Sequence, residues 1–74
     1  MQNSMDFVRF GKRVRAVRRA QDITQERLAE LAGVSTSFIG HIERGSRVLS
    51  VETLHNICIA LGASADDLMG LSEN

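Results

Sequence analysis

The 74-residue sequence predicts an all-α, compact five-helix domain, and three observations lead there. Apolar residues recur at spacings of three and four along most of the chain. Hydroxyl residues stand just ahead of several of these runs, where helices start, and glycines follow them where helices stop. Proline, tryptophan and tyrosine are absent and 43% of the residues are hydrophobic, a balance that fits packed helices better than a disordered or fibrous chain.

The elements follow in order. Phe7, Phe10, Val14 and Val17 recur at helical spacing, predicting helix α1 from Asp6 to about Ala20, with Arg9, Lys12, Arg15 and Arg19 pointing away from that stripe. Thr24 is the N-cap of α2, TQERLAELA, whose buried side is expected to be Leu28, Leu31 and Ala32; Gly33 fits the left-handed residue that ends it. Ser35 caps α3, running to about Arg44, and Gly45 stops it. Ser50 caps α4 to about Leu61, stopped by Gly62, and Ser64 caps a last turn or two with Asp67 at the capping-box position. The pairs Ile23 with Leu28, Val34 with Ile39 and Leu49 with Leu54 are hydrophobic staples, which fix the angle at which the chain enters a helix. With only Gly33 and Val34 between α2 and the next cap, α2 and α3 must cross steeply as a helix-turn-helix.

The outer face of α3 is unusual. On a wheel of about 100° per residue, Phe38, Ile39 and Ile42 share one arc, while Thr36, Ser37, Gly40, His41 and Arg44 share another. An ordinary wet face carries Glu, Lys and Gln; this one is short, poor in acid and interrupted by glycine. Short polar side chains on a helix held out by its neighbour let it enter a DNA major groove without striking the walls.

Net charge is zero, yet all nine basic residues lie between Arg9 and Arg47. Residues 1–47 hold those nine against five acids, a net of +4, and residues 48–74 hold four acids and no base, a net of −4. A charge dipole of this kind puts an electrostatic footprint for an anionic partner on one half. The single cysteine makes no internal disulfide, and no segment has the length of a secretory signal or a membrane span, so a reducing cytoplasm is expected, with no membrane partner. One domain is expected over 1–74, its core at about 6–70.

From about Phe10 to Leu68 the sequence resembles the phage repressor and Cro, or xenobiotic-response-element, family of helix-turn-helix DNA-binding domains. The stretches that carry the resemblance are FGKRVRAVRRAQDITQERLAELAGVSTSFIGHIERGSR and LSVETLHNICIALGASADDL. It implies a compact repressor-like domain in which α2 and α3 form the helix-turn-helix, and the first residue of α2, Gln25, anchors a DNA phosphate. The outward residues of α3, Thr36, Ser37 and His41, then meet bases, and Ser46 and Arg47 hold the opposite phosphate strand. Arg15, Arg19 and Arg44 are further candidate phosphate neighbours. Arg18 and Glu43 match a pair that joins α1 and α3 in many relatives, and the wheel independently places both at the edges of apolar stripes. Asp22 stands where relatives often have glycine, the loop before Ser50 lacks their frequent proline, and Phe38 replaces the usual hydroxyl residue.

His41 and His55 have no second ligand at metal-binding spacing, so no metal or cofactor is expected. His55 reads as a surface residue and Cys58 as a small core hydrophobe. Ile59 lies outside the stripe of Leu54, Ile57 and Leu61; with Met69 and Leu71 it forms a candidate patch for a two-fold homodimer, the alternative for those last two being a frayed tail. No nucleophile–base pair, phosphate loop or carboxylate pair can be assembled, which argues against an enzyme. The expected function is a sequence-specific double-stranded DNA-binding transcriptional regulator. Its form would be a bacterial or phage-encoded repressor on a palindromic operator, acting in the cytoplasm at the nucleoid. The alternatives are an antitoxin, a restriction–modification controller, or a protein-interaction module that has lost DNA.

Overall fold

The computed structural model describes residues 6–70. Five α-helices follow one another: α1 Phe7–Ala20, α2 Gln25–Ala32, α3 Thr36–Arg44, α4 Val51–Leu61 and α5 Ala65–Met69. Asp6, Thr24, Ser35, Ser50 and Ser64 each stand extended ahead of a helix and accept a hydrogen bond from the third helical N–H, at 3.0–3.1 Å. Each cap satisfies one of the amides that a helix start leaves without an internal partner.

The α2–α3 turn shows how tightly the chain is bent. Gly33 has φ +72°, a left-handed conformation that costs glycine nothing, and the Val34 amide bonds back to the Ala29 carbonyl at 3.0 Å. At the end of α1 the same return is made by Ile23 N–H to the Arg18 carbonyl at 3.3 Å, but here the left-handed residue is Asp22, φ +60°. Among the described residues it is the one non-glycine with positive φ, which explains why a glycine suits this position.

The core gathers Phe10 and Val14 of α1, Leu28, Ala29 and Ala32 of α2, Ile39 and Ile42 of α3, Ile57 and Leu61 of α4, and Leu68 of α5. The staple residues Ile23, Val34 and Leu49 pack against it from the turns. Leu31 departs from the expected pattern, being 46% exposed. Helix α2 packs against both α3 and α4, and the buried arc is centred on the side of Leu28, Ala29 and Ala32. Small alanines there allow close approach, and Leu31, about 60° beyond Leu28 on the other side, is left at the rim. Cys58 is half-buried beside the core, and burial pushes its thiol above the ordinary range.

Helix α1 supports α3 by backbone contact. A Cβ at Gly11 would land on the Ile42 carbonyl oxygen and within 2.8 Å of that of Glu43. One turn earlier Val8 meets the end of α3, where a Cβ on Gly45 would lie 2.6 Å from the Val8 Cα. Gln21, just past α1, donates to the Leu61 carbonyl at 2.5 Å and so joins the end of α1 to the end of α4.

Candidate nucleic-acid interface

The interface is built on α3, whose back is fixed by Ile39 and Ile42 in the core and by Glu43 against α1. Arg18 Nε donates to Glu43 Oε2 at 2.6 Å and Arg18 Nη2 to Oε1 at 3.1 Å. The third guanidinium nitrogen, Nη1, donates to the Ile23 carbonyl at 2.9 Å. Gln25 Nε2 donates to Glu43 Oε1 at 3.0 Å, so one carboxylate ties α1, the start of α2 and α3 together. Burial is the largest single influence on Glu43 and pushes its pKa up; hydrogen bonds from Arg18 and Gln25 and the charges of Arg18 and Arg15 outweigh it and hold the carboxyl below its ordinary value. The bond to Glu43, opposed by burial, raises Arg18 above the usual arginine value.

The outer residues fall into two groups at the ends of α3. At the N-terminal end Arg15, Arg18, Arg19, Thr24, Gln25, Glu26 and Thr36 line one open cleft between α1 and the starts of α2 and α3. Thr36 and Ser37 are exposed in the first turn, and Ser35 is engaged in capping. At the other end stand His41, Arg44, Ser46 and Arg47. The nine residues of α3 span about 13 Å, close to the width of a major groove, so cations at both ends flank what the helix face meets.

Several side chains have partners that the sequence does not foretell. Gln25, expected at a phosphate, spends one amide hydrogen on Glu43 and is half-buried. Gly40 is buried, because the Arg44 guanidinium folds back over it: a Cβ at Gly40 would lie 3.2 Å from Arg44 Nη1. His41 Nδ1 lies 3.2 Å from Ser46 Oγ and 3.3 Å from Arg44 Nη2, and Ser46 Oγ also donates to the His41 carbonyl at 3.2 Å. The Arg47 guanidinium carbon sits 5.6 Å from the centre of the Phe38 ring, a cation–π stack between α3 and the loop after it.

Of the candidate dimer residues, Ile59 is 69% exposed, Met69 is half-buried against the core, and Leu71 lies outside the described residues. His55 is exposed. Among the described residues no group of three or more His, Cys, Asp or Glu is placed to hold a metal ion, and no helix is long and apolar enough to cross a membrane.

A helix-turn-helix with an exposed, polar second helix flanked by arginines defines a double-stranded DNA reader. Residues 9–69 match the helix-turn-helix domain family. An HTH-type transcriptional regulator of Bacillus subtilis, YazB, is 41% identical over 59 residues, covering 80% of this chain and 86% of YazB. The restriction–modification controller C.AhdI of Aeromonas hydrophila superposes with a TM-score of 0.82 at 37% identity, covering 88% of this chain and 98% of that one. The P22 c2 repressor in complex with synthetic operator 9T gives a TM-score of 0.76 at 36% identity, over 80% and 89%. The chain belongs to the Cro/C1, or xenobiotic-response-element, family of helix-turn-helix transcription regulators.

Proposed function

We propose that the protein is a repressor that occupies a palindromic operator as a homodimer, one α3 in each of two successive major grooves. The observation that carries the reading is the short polar face of α3 with cations at both of its ends. Thr36, Ser37 and His41 contact bases; Arg15, Arg19, Gln25, Arg44, Ser46 and Arg47 contact phosphates. Gln25 spends one Nε2 hydrogen on Glu43 Oε1 and keeps the other for a phosphate oxygen. Thr36 and Ser37, at the end of α3 that enters deepest, both donate and accept, so they discriminate weakly, whereas His41, one turn further along the face, carries more of the specificity. The second protomer covers the face of α4 bearing the exposed Ile59 and the open groove lined by Val51, Leu54, His55, Cys58 and Ala65. No catalytic step is involved, and the site of action is the cytoplasm of a bacterium, on nucleoid or phage DNA.

Selection of bound sites from random duplex DNA tests this reading: it should return a two-fold site with half-site centres about 34 Å apart. An asymmetric or featureless outcome would count against it. The near-complete coverage of C.AhdI favours a second reading, a restriction–modification controller. It is distinguished by whether the selected site lies ahead of restriction and modification genes in the source genome.

A further inference from the structure

We propose that Arg44, seated over Gly40, is a specificity-determining positioning residue: by hydrogen-bonding His41 Nδ1 it leaves Nε2–H as the donor that the imidazole offers to a base edge. This rests on the reading of His41 as a base contact. A neutral imidazole carries one N–H, and which nitrogen bears it is set by the partner of the other. Two self-consistent networks exist around His41. In the first, Arg44 Nη2, 3.3 Å away, donates to Nδ1; arginine has no acceptor, so Nδ1 must offer its lone pair and the proton sits on Nε2. In the second, Nδ1–H donates to Ser46 Oγ at 3.2 Å while Ser46 passes its own hydrogen to the His41 carbonyl, leaving Nε2 as an acceptor.

The seat of Arg44 decides between them. With the guanidinium held against Nδ1, the second network sets one N–H against another. The seat is close because position 40 has no side chain: a Cβ there would lie 3.2 Å from Nη1 and 3.7 Å from Nη2 of Arg44 and would push the guanidinium out by a few tenths of an ångström. The glycine in the middle of α3 therefore makes room for an arginine of the same chain, which in turn orients the histidine. A donor at Nε2 suits guanine N7 and O6, whereas an acceptor suits the amino group of adenine or cytosine.

The experiment has two arms, both on the full chain. Nitrogen-15 spectra of the histidine rings in the free protein, recorded at mildly alkaline pH, should show the His41 proton on Nε2 and a shift toward Nδ1 in Arg44→Met, with His41→Ala providing the assignment. Selection from random-sequence duplex DNA should give guanine at one base pair per half-site with the wild type. Arg44→Met should move that pair toward adenine or cytosine by roughly tenfold in relative preference, leaving the other positions in place. A wild-type proton on Nδ1, or a tautomer unmoved by Arg44→Met, overturns the proposal. So does an unchanged base preference in Arg44→Met when His41→Ala flattens that position. If His41→Ala selects the wild-type site, the base-contact reading beneath the proposal is what has failed.

Discussion

Replacing Glu43 by alanine tests whether the carboxylate holds three segments together. It removes two charged hydrogen bonds from Arg18, at 2.6 and 3.1 Å, and one from Gln25 at 3.0 Å. Arg18, only 8% exposed, then keeps its bond to the Ile23 carbonyl and has no opposite charge beside it. Leaving a buried charge without its partner costs about 3–5 kcal/mol. A 74-residue domain has about 4–11 kcal/mol in total, so the variant should sit near the edge of stability. With no tryptophan or tyrosine in the chain, urea unfolding is followed by far-ultraviolet circular dichroism. For a slope of about 1 kcal/mol per molar urea, the midpoint should fall by roughly 3 M or more. Arg18→Met with Glu43→Leu should recover most of the loss, because an apolar pair of similar volume avoids the desolvation of two charges. A loss below about 1 kcal/mol for Glu43→Ala, or a double variant as weak as the single one, would refute this account of how α3 is held.

Further outcomes are expected. Because the folded protein holds Glu43 below its ordinary pKa, the pair's contribution is complete above the ordinary carboxylate range and is lost as pH falls through the lowered value. Urea midpoints of the wild type and Glu43→Gln should therefore converge in acid, and parallel curves would argue against it. DNA affinity should fall steeply with salt, and Arg47→Ala should reduce the log–log slope by about 1 per protomer while weakening all sequences alike, as measured by titration at several salt concentrations. Phe38→Leu should weaken DNA binding by roughly 2–5-fold through loss of the Arg47 stack, and should add nothing in an Arg47→Ala background. Asp22→Gly should relieve the left-handed strain and raise the melting temperature by roughly 2–8 °C, whereas no rise would mean that Asp22 is not strained. Ile59→Asp should convert a wild-type dimer to monomer in sedimentation, and an unchanged mass would place the partner elsewhere.

Three of the five helix starts were legible because each is written twice. A hydroxyl cap at Thr24, Ser35 or Ser50 coincides with an apolar staple pair, and two local signals that agree leave few alternative boundaries. The fold followed from those, and the resemblance supplied site positions. Leu31 was misread because a wheel shows the spread of apolar residues on one helix and says nothing of how many neighbours clasp it. Gly40 was misread for a related reason: an empty position looks bare in sequence, but Arg44, four residues on and long enough to fold back, fills it. The Gln25 bond to Glu43 and the Arg47 stack on Phe38 join residues brought near by tertiary packing, and periodicity within either segment carries no trace of them. The sequence did place Arg18 and Glu43 at stripe edges, where a long arginine can reach across.

The contact of Gly11 with the carbonyls of Ile42 and Glu43 has a consequence for how this domain acquires new targets. Side chains that prop up a helix can change rotamer or shrink by a methyl group, and the helix drifts with them. At this contact, beside the side-chain anchors Ile39, Ile42 and Glu43, α3 rests on main-chain atoms, which have no rotamers and are the same in every sequence. Its elevation above the body of the protein is thus set by a stop that substitutions at Thr36, Ser37 and His41 do not touch. On the proposed reading, those three positions are an exchangeable reading head on a fixed mount. Rewriting them should change which operator is preferred without reopening the question of where the helix lies.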